Sequence, residues 1–170
     1  NDLSIKISGK TDVVKKTYLS ITNGKVAKDR GNGTKDYFNY VEGLIQGISQ
    51  KEKNFNGEIV SRWYIDLRDG EEIYSVCFPY SSGVFKSVVL SLASDEALST
   101  ASFIRIEPYE RNGFTKAVVY ADGVRLDWVV KELPPIKEVE VGSRKVKDDS
   151  ERMRYICELC SLINKRLENN

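Results

Sequence analysis

Cys157-Glu158-Leu159-Cys160 is the first place in the chain where residue type and spacing suggest chemistry. A tetrahedral zinc site needs four ligands, and only Cys77 remains to join the pair. On an amphipathic helical stretch the same two thiols serve packing. The chain has no histidine, so the commonest general base and the commonest metal ligand are both missing. Ser/His and Cys/His nucleophile systems are thereby excluded. The carboxylate pairs Glu71-Glu72 and Asp148-Asp149 fall at a turn and in a charged connection, where acids are solvated. Gly31-Asn32-Gly33-Thr34-Lys35 is too short for a phosphate-binding loop and follows no buried strand. No catalytic residue, metal or cofactor is expected, and the chain is read as a binder rather than an enzyme.

Rings next to cations offer a different chemistry. Phosphates need cations along a track and bases need flat rings, each stack being worth about 1–3 kcal/mol. Three groups of residues fit. Lys51, Lys53, Arg62, Tyr64 and Arg68 alternate along two successive extended runs. Arg105, Tyr109, Arg111, Phe114, Lys116 and Tyr120 do so along a later pair. Lys25, Lys28 and Arg30 lie in a basic stretch before both. Any one of them alone is an ordinary cross-strand partner or a solvating charge; the clustering makes the case.

The elements that must hold these groups follow from hydrophobic alternation and turn dipeptides. YLSITNGKVA predicts two strands about Asn23-Gly24, and KDRGNGTKD a mobile loop. From Tyr40, three strands joined at Asn56-Gly57 and Asp69-Gly70 make a meander, with Gly43 and Gly47 bending the first. Ser81-Ser82 caps a short helix carrying Phe85, Val88, Val89 and Leu92. Two further strands flank Asn112-Gly113, and Pro134-Pro135 ends the unit. Pairing about Asp69-Gly70 sets Leu67 opposite Glu72, Ile65 opposite Tyr74 and Trp63 opposite Val76. Pairing about Asn56-Gly57 sets Ile48 opposite Ile65. The inner face is then Ile48, Trp63, Ile65, Tyr74, Val76, Ile104, Ile106 and Val119, and the ring-and-cation residues fall outside.

Three strands, a helix and two strands is the chain order of the five-stranded OB barrel, whose second and third strands and two loops hold oligonucleotides or oligosaccharides. The expected fold is therefore mainly β: an OB-type barrel with one inserted helix, an N-terminal hairpin arm and a C-terminal amphipathic helix. The expected division is an arm at 1–39, the barrel at 40–133, a charged linker at 134–149 and the helix at 150–170. Met153, Ile156, Cys157, Cys160 and Ile163 form that helix's apolar stripe, which docks on the barrel or on a second subunit.

Charge is divided unevenly along the chain. Residues 1–39 hold 8 Lys/Arg against 4 Asp/Glu, residues 40–130 hold 9 against 13, and residues 131–170 hold 9 against 8. Any electrostatic attraction to nucleic acid must come from local patches, with the basic arm sharing the work. The odd number of cysteines, the N-terminal stretch without a secretory apolar core and the lack of a long apolar run suggest reduced thiols, a cytoplasmic setting and no membrane contact.

The NGK turn at Asn23-Gly24-Lys25, GLIQGI from Gly43, WYIDLRDGEEIYSV from Trp63 and AVVYADGVRLDWV from Ala117 to Val129 together resemble a family. It is that of the single-stranded DNA-binding proteins of phages and mobile elements with a basic hairpin arm before an OB barrel. The resemblance implies sequence-independent coating of single-stranded DNA in replication or recombination, through stacking and phosphate contacts; the residues themselves leave DNA and RNA open as partners. Many replication-type members end in an acidic tail; here an amphipathic helix and KRLENN stand in its place, which points to a homo-oligomer through Ile156 and Cys160. Two other functions compete with this one: an OB-type interaction or assembly subunit that touches no nucleic acid, and carbohydrate binding by the same rings.

Overall fold

Of the six Asn-Gly and Asp-Gly dipeptides of the chain, four form tight turns with both residues left-handed, at Asn23, Asn56, Asn112 and Asp122. At Asn56-Gly57, for instance, φ is +52° and +86°. Two consecutive left-handed residues give the tight turn whose twist matches that of the strands it joins. The computed structural model describes residues 15–170, and the first part of the arm, residues 1–14, lies outside them. Within that range the elements run β1 (Lys15–Thr22), β2 (Lys25–Asp29), β3 (Lys35–Phe38), β4 (Val41–Phe55), β5 (Glu58–Asp69), β6 (Glu72–Pro79) and α1 (Gly83–Ala93). They continue β7 (Phe103–Arg111), β8 (Phe114–Ala121), β9 (Val124–Arg125), β10 (Lys137–Val141), β11 (Arg144–Asp148) and α2 (Ser150–Asn169).

The mainly β character, the central helix and the C-terminal helix agree with the sequence. The closed five-stranded barrel does not. One open sheet of nine strands forms, in the order β3-β2-β1-β6-β5-β4-β7-β8-β9. The reason lies at the free edge of β6. β1 pairs there in parallel, Leu19 beside Val76 and Thr17 beside Tyr74, while β8 turns its outer edge to β9. The described part of the expected arm, residues 15–39, thus belongs to the sheet, and its Leu19 and Val26 belong to the core. The stretch expected to be a mobile loop continues the sheet as the β2–β3 hairpin. The stretch expected to be a linker folds as the β10–β11 hairpin, a separate two-stranded sheet.

Register bears out the inner and outer faces while moving one pairing. Ile48 faces Ile65 as expected. About the β5–β6 turn the pairs are Leu67 with Tyr74, Ile65 with Val76 and Trp63 with Phe78. That is a slip of two residues from the sequence expectation, because the turn is Gly70-Glu71 and Asp69 pairs with Glu72. A two-residue slip leaves every side chain on its face. In β4 a bulge falls between Ile45 and Gly47, which moves the inward positions from Val41 and Ile45 to Ile48.

Helix α1 starts where Ser82 Oγ accepts from Phe85 N at 3.1 Å, and lies across the inner face. There Phe85 stacks on Trp63 at 4.8 Å between centroids. Trp63 Nε1 donates to Tyr80 O at 3.1 Å, so the indole is both packed and satisfied. Helix α2 packs beside α1 and along β4, burying Met153, Ile156, Leu159, Cys160, Ile163 and Leu167. Asn164 joins it to the bulge: Ile48 N donates to its Oδ1 at 2.9 Å, and its Nδ2 donates to Ile48 O at 2.8 Å. Beyond Leu44 no strand among the described residues covers this edge of β4, and the amide stands in for one. The apolar stripe expected to drive self-association is therefore used within the chain. Burial pushes both thiols up, that of Cys160 to about 12.

Candidate nucleic-acid interface

Alternation on β5 puts Arg62 and Tyr64 on the side opposite Trp63 and Ile65, and the β4 register brings Lys51 to Arg62, Ser49 to Tyr64 and Lys53 to Val60. Lys51, Lys53, Arg62 and Tyr64 thus share one patch. Lys51 Nζ sits 5.0 Å from the centroid of the Tyr64 ring. Arg62 leans the other way, toward Cys77 Sγ at 3.7 Å. Like charges directly opposite each other on adjacent strands repel, and among the described residues no carboxylate pairs with either Lys51 or Arg62.

Tyr64 itself is not an open platform, for it is only 5% exposed. Burial raises its hydroxyl pKa, Cys77 adds to the rise, and Arg62 pulls against it. The exposed ring is its neighbour Tyr18 on β1, edge-on to Tyr64 at 6.2 Å and 54% exposed. Tyr18 was missed because the first hairpin was assigned to a separate arm. Its alternation with buried Leu19 was the available signal. Arg68 lies farther along β5, exposed, with Nε donating to Gly70 O at 2.8 Å. Asp66, between Arg68 and Tyr64 on this face, is held by Ser75 Oγ at 2.6 Å and Lys16 Nζ at 3.2 Å.

The basic turn of the first hairpin meets the β7–β8 hairpin. Gly24 N donates to Thr115 Oγ1 at 3.2 Å, and a Cβ on Gly24 would lie 2.8 Å from Glu110 N. Only glycine permits this approach at a φ of +75°. The contact brings Lys25 next to a tip that carries Arg111, Phe114, Tyr109 and Lys116, with Tyr109 facing Lys116 and Arg111 facing Phe114. Phe114 is 70% exposed. Lys25 Nζ reaches Asn39 Oδ1 at 2.6 Å.

The remaining sequence candidates are placed elsewhere. Arg105 faces Tyr120 as expected, yet its guanidinium bonds Glu42 at 2.7 Å, lies 3.7 Å from Glu107 and stacks 3.8 Å from the Tyr40 centroid. Arg30 is paired with Asp36, and that bond holds the Asp36 carboxyl below its usual range. Lys28 lines a cavity of about 310 Å³ with Thr17, Glu42, Asp69 and Glu72, away from Lys51 and Arg62. Among the described residues, Arg105 and Arg30 are thus the candidate cations matched by carboxylates, and among the unmatched ones Lys51 and Arg62 face each other across adjacent strands.

Among the described residues no group of three or more His, Cys, Asp or Glu could hold a metal ion, and no helix is long and apolar enough to cross a membrane. No protein-family model, no curated protein and no solved structure matches the chain.

Proposed function

We propose that the outer face around Lys51, Arg62 and Tyr18, continued by Lys25 and the β7–β8 tip, binds single-stranded nucleic acid without sequence preference. It would serve as a coat on single-stranded DNA in replication or recombination, as in the phage and mobile-element family that the sequence resembles. The observation that carries this reading is the Lys51–Arg62 pair. Two cations face each other across adjacent strands without a carboxylate between them, and a bridging phosphate would turn their repulsion into attraction. Tyr18, exposed beside them, supplies a ring for a base.

The test is anisotropy of labelled oligo-dT in a salt series, with duplex DNA and RNA oligonucleotides alongside. Affinity for the single strand should fall as salt rises, since bound counterions are released. Absence of binding to any single strand at low salt overturns the proposal.

One observation favours a second reading, an assembly subunit that touches no nucleic acid. The β10–β11 hairpin exposes Val139, Val141 and Val146, and its register places all three on one face. A two-stranded ribbon is marginal by itself in water. Oligomers in gel filtration that ignore added oligonucleotide and dissociate when these valines become threonine would support that reading against the first.

A further inference from the structure

The chain has two tryptophans, in opposite situations. Trp63 is 4% exposed and lies between Tyr80 and Phe85. Trp128 is 47% exposed, although its backbone is held on both sides: Leu126 N donates to Val119 O at 2.9 Å and Val129 N to Leu90 O at 3.0 Å. Leu126 and Val130 pack against the core. The largest side chain in the protein is therefore held at the surface by a fixed segment.

Trp128 forms one wall of a groove of about 450 Å³ that it shares with Tyr109, Phe114, Lys116, Arg125 and the first turn of α1 at Val84 and Ser87. Among the described residues three rings and two cations line it, and no carboxylate does. Among the described residues neither Lys116 nor Arg125 is in an ion pair. Thr115, which also lines the groove, is the residue that accepts from Gly24 N. The groove therefore begins where the basic turn of the first hairpin ends.

We infer that this groove is a base-binding subsite of the single-stranded nucleic-acid path, with Trp128 as the stacking platform and Arg125 and Lys116 on the flanking phosphates. The inference rests on the proposed function and extends it to two residues, Arg125 and Trp128, beyond the outer-face cluster. A purely apolar partner would leave both cations desolvated without a counter-charge, whereas a nucleotide supplies a flat ring and an anion together.

The two tryptophans make the test selective, because a ligand on the surface reaches Trp128 and not Trp63. Oligo-dT should quench the tryptophan emission of the wild-type protein. Trp128→Phe should bind within about twofold of wild type by anisotropy and show no quenching, since the ring is retained. Trp128→Ala should bind about tenfold more weakly, within the range for loss of one stack. Wild-type binding without any tryptophan change, or unchanged affinity in Trp128→Ala, overturns the subsite and leaves the Lys51–Arg62 reading standing. Loss of self-association in Trp128→Ala at unchanged affinity overturns it in favour of a protein contact. No oligonucleotide binding by the wild type overturns both.

Discussion

On the inner side of the sheet Ile65 faces Val76, both fully buried, and the next pair along, Trp63 with Phe78, stays below 5% exposure. One residue away on the outer side Arg62 faces Lys51. The same two strands thus carry a surface on which no charge is tolerated and one on which two like charges meet. The outer side is itself divided. Arg62 and Lys51 lack carboxylate partners among the described residues, whereas Arg105 holds Glu42 at 2.7 Å beneath the Tyr40 ring. A cation matched by a carboxylate has a sufficient structural reason to be where it is. A pair of facing cations does not, and the proposed ligand site rests on that contrast.

The largest expected effect tests the inner side. Burial raises the Cys160 thiol from an ordinary value near 9 to about 12, with Cys157 adding to the rise. A group raised on folding favours the folded state below its unfolded pKa, and that contribution is lost as pH climbs through the folded value. Stability should therefore be flat up to about pH 9 and then fall by about 1.4 kcal/mol per pH unit toward pH 12, roughly 4 kcal/mol in all. Tyr64, Tyr74 and Tyr80, each raised chiefly by burial, steepen the alkaline end. Denaturant titrations in this window should show a shallower decline in Cys160→Ala, and parallel curves for the two proteins would remove the thiol from the account.

The second effect separates binding from stability on the outer side. Lys51→Gln with Arg62→Gln should weaken oligo-dT binding roughly 10- to 100-fold, as loss of charged hydrogen bonds does. It should also reduce the slope of log affinity on log salt by about 1.4, two phosphates at about 0.7 each. Removing the facing like charges should leave the fold as stable or a few tenths of a kcal/mol more so. A double variant that loses stability and keeps affinity would reverse the assignment.

A third effect returns to the inner side. Asn164→Ala strips both hydrogen bonds from Ile48 at the β4 bulge, and should cost about 1–3 kcal/mol in a denaturant melt. Oligonucleotide affinity should not change, because Asn164 belongs neither to the outer-face cluster nor to the groove at Trp128.

Much of the local order was legible. The turn dipeptides located the hairpins, and the alternation of Ile104, Ile106 and Val119 against Arg105 and Tyr120 fixed the faces. What the sequence could not supply was the partner of β6. Parallel pairing of Lys15–Thr22 joins residues more than fifty positions apart, and alternation alone does not distinguish that edge from a barrel closed by β8. The error carried into the site. Treating the first hairpin as a separate arm hid Tyr18 and left Tyr64 as the apparent platform, when its neighbours leave it 5% exposed. Compensation was equally invisible. Nothing in the composition distinguishes Arg105, with two carboxylates in reach, from Arg62, with none among the described residues.

Arg105→Gln is the smallest expected effect and bears most directly on that distinction. The Arg105 side chain is 38% exposed and that of its principal partner Glu42 29%. An ion pair so open to solvent contributes little to stability, and salt weakens it further. Glutamine removes the charge and keeps a donor, so the melt should shift slightly and oligonucleotide affinity should hold. If affinity instead falls as far as it does in Arg62→Gln, carboxylate pairing does not withdraw a cation from the ligand. The path would then include the β4–β7 side of the sheet, with Tyr40 as a further ring. If it holds, the facing pair at Lys51 and Arg62 is set apart from the carboxylate-matched Arg105 by a measurement as well as by geometry.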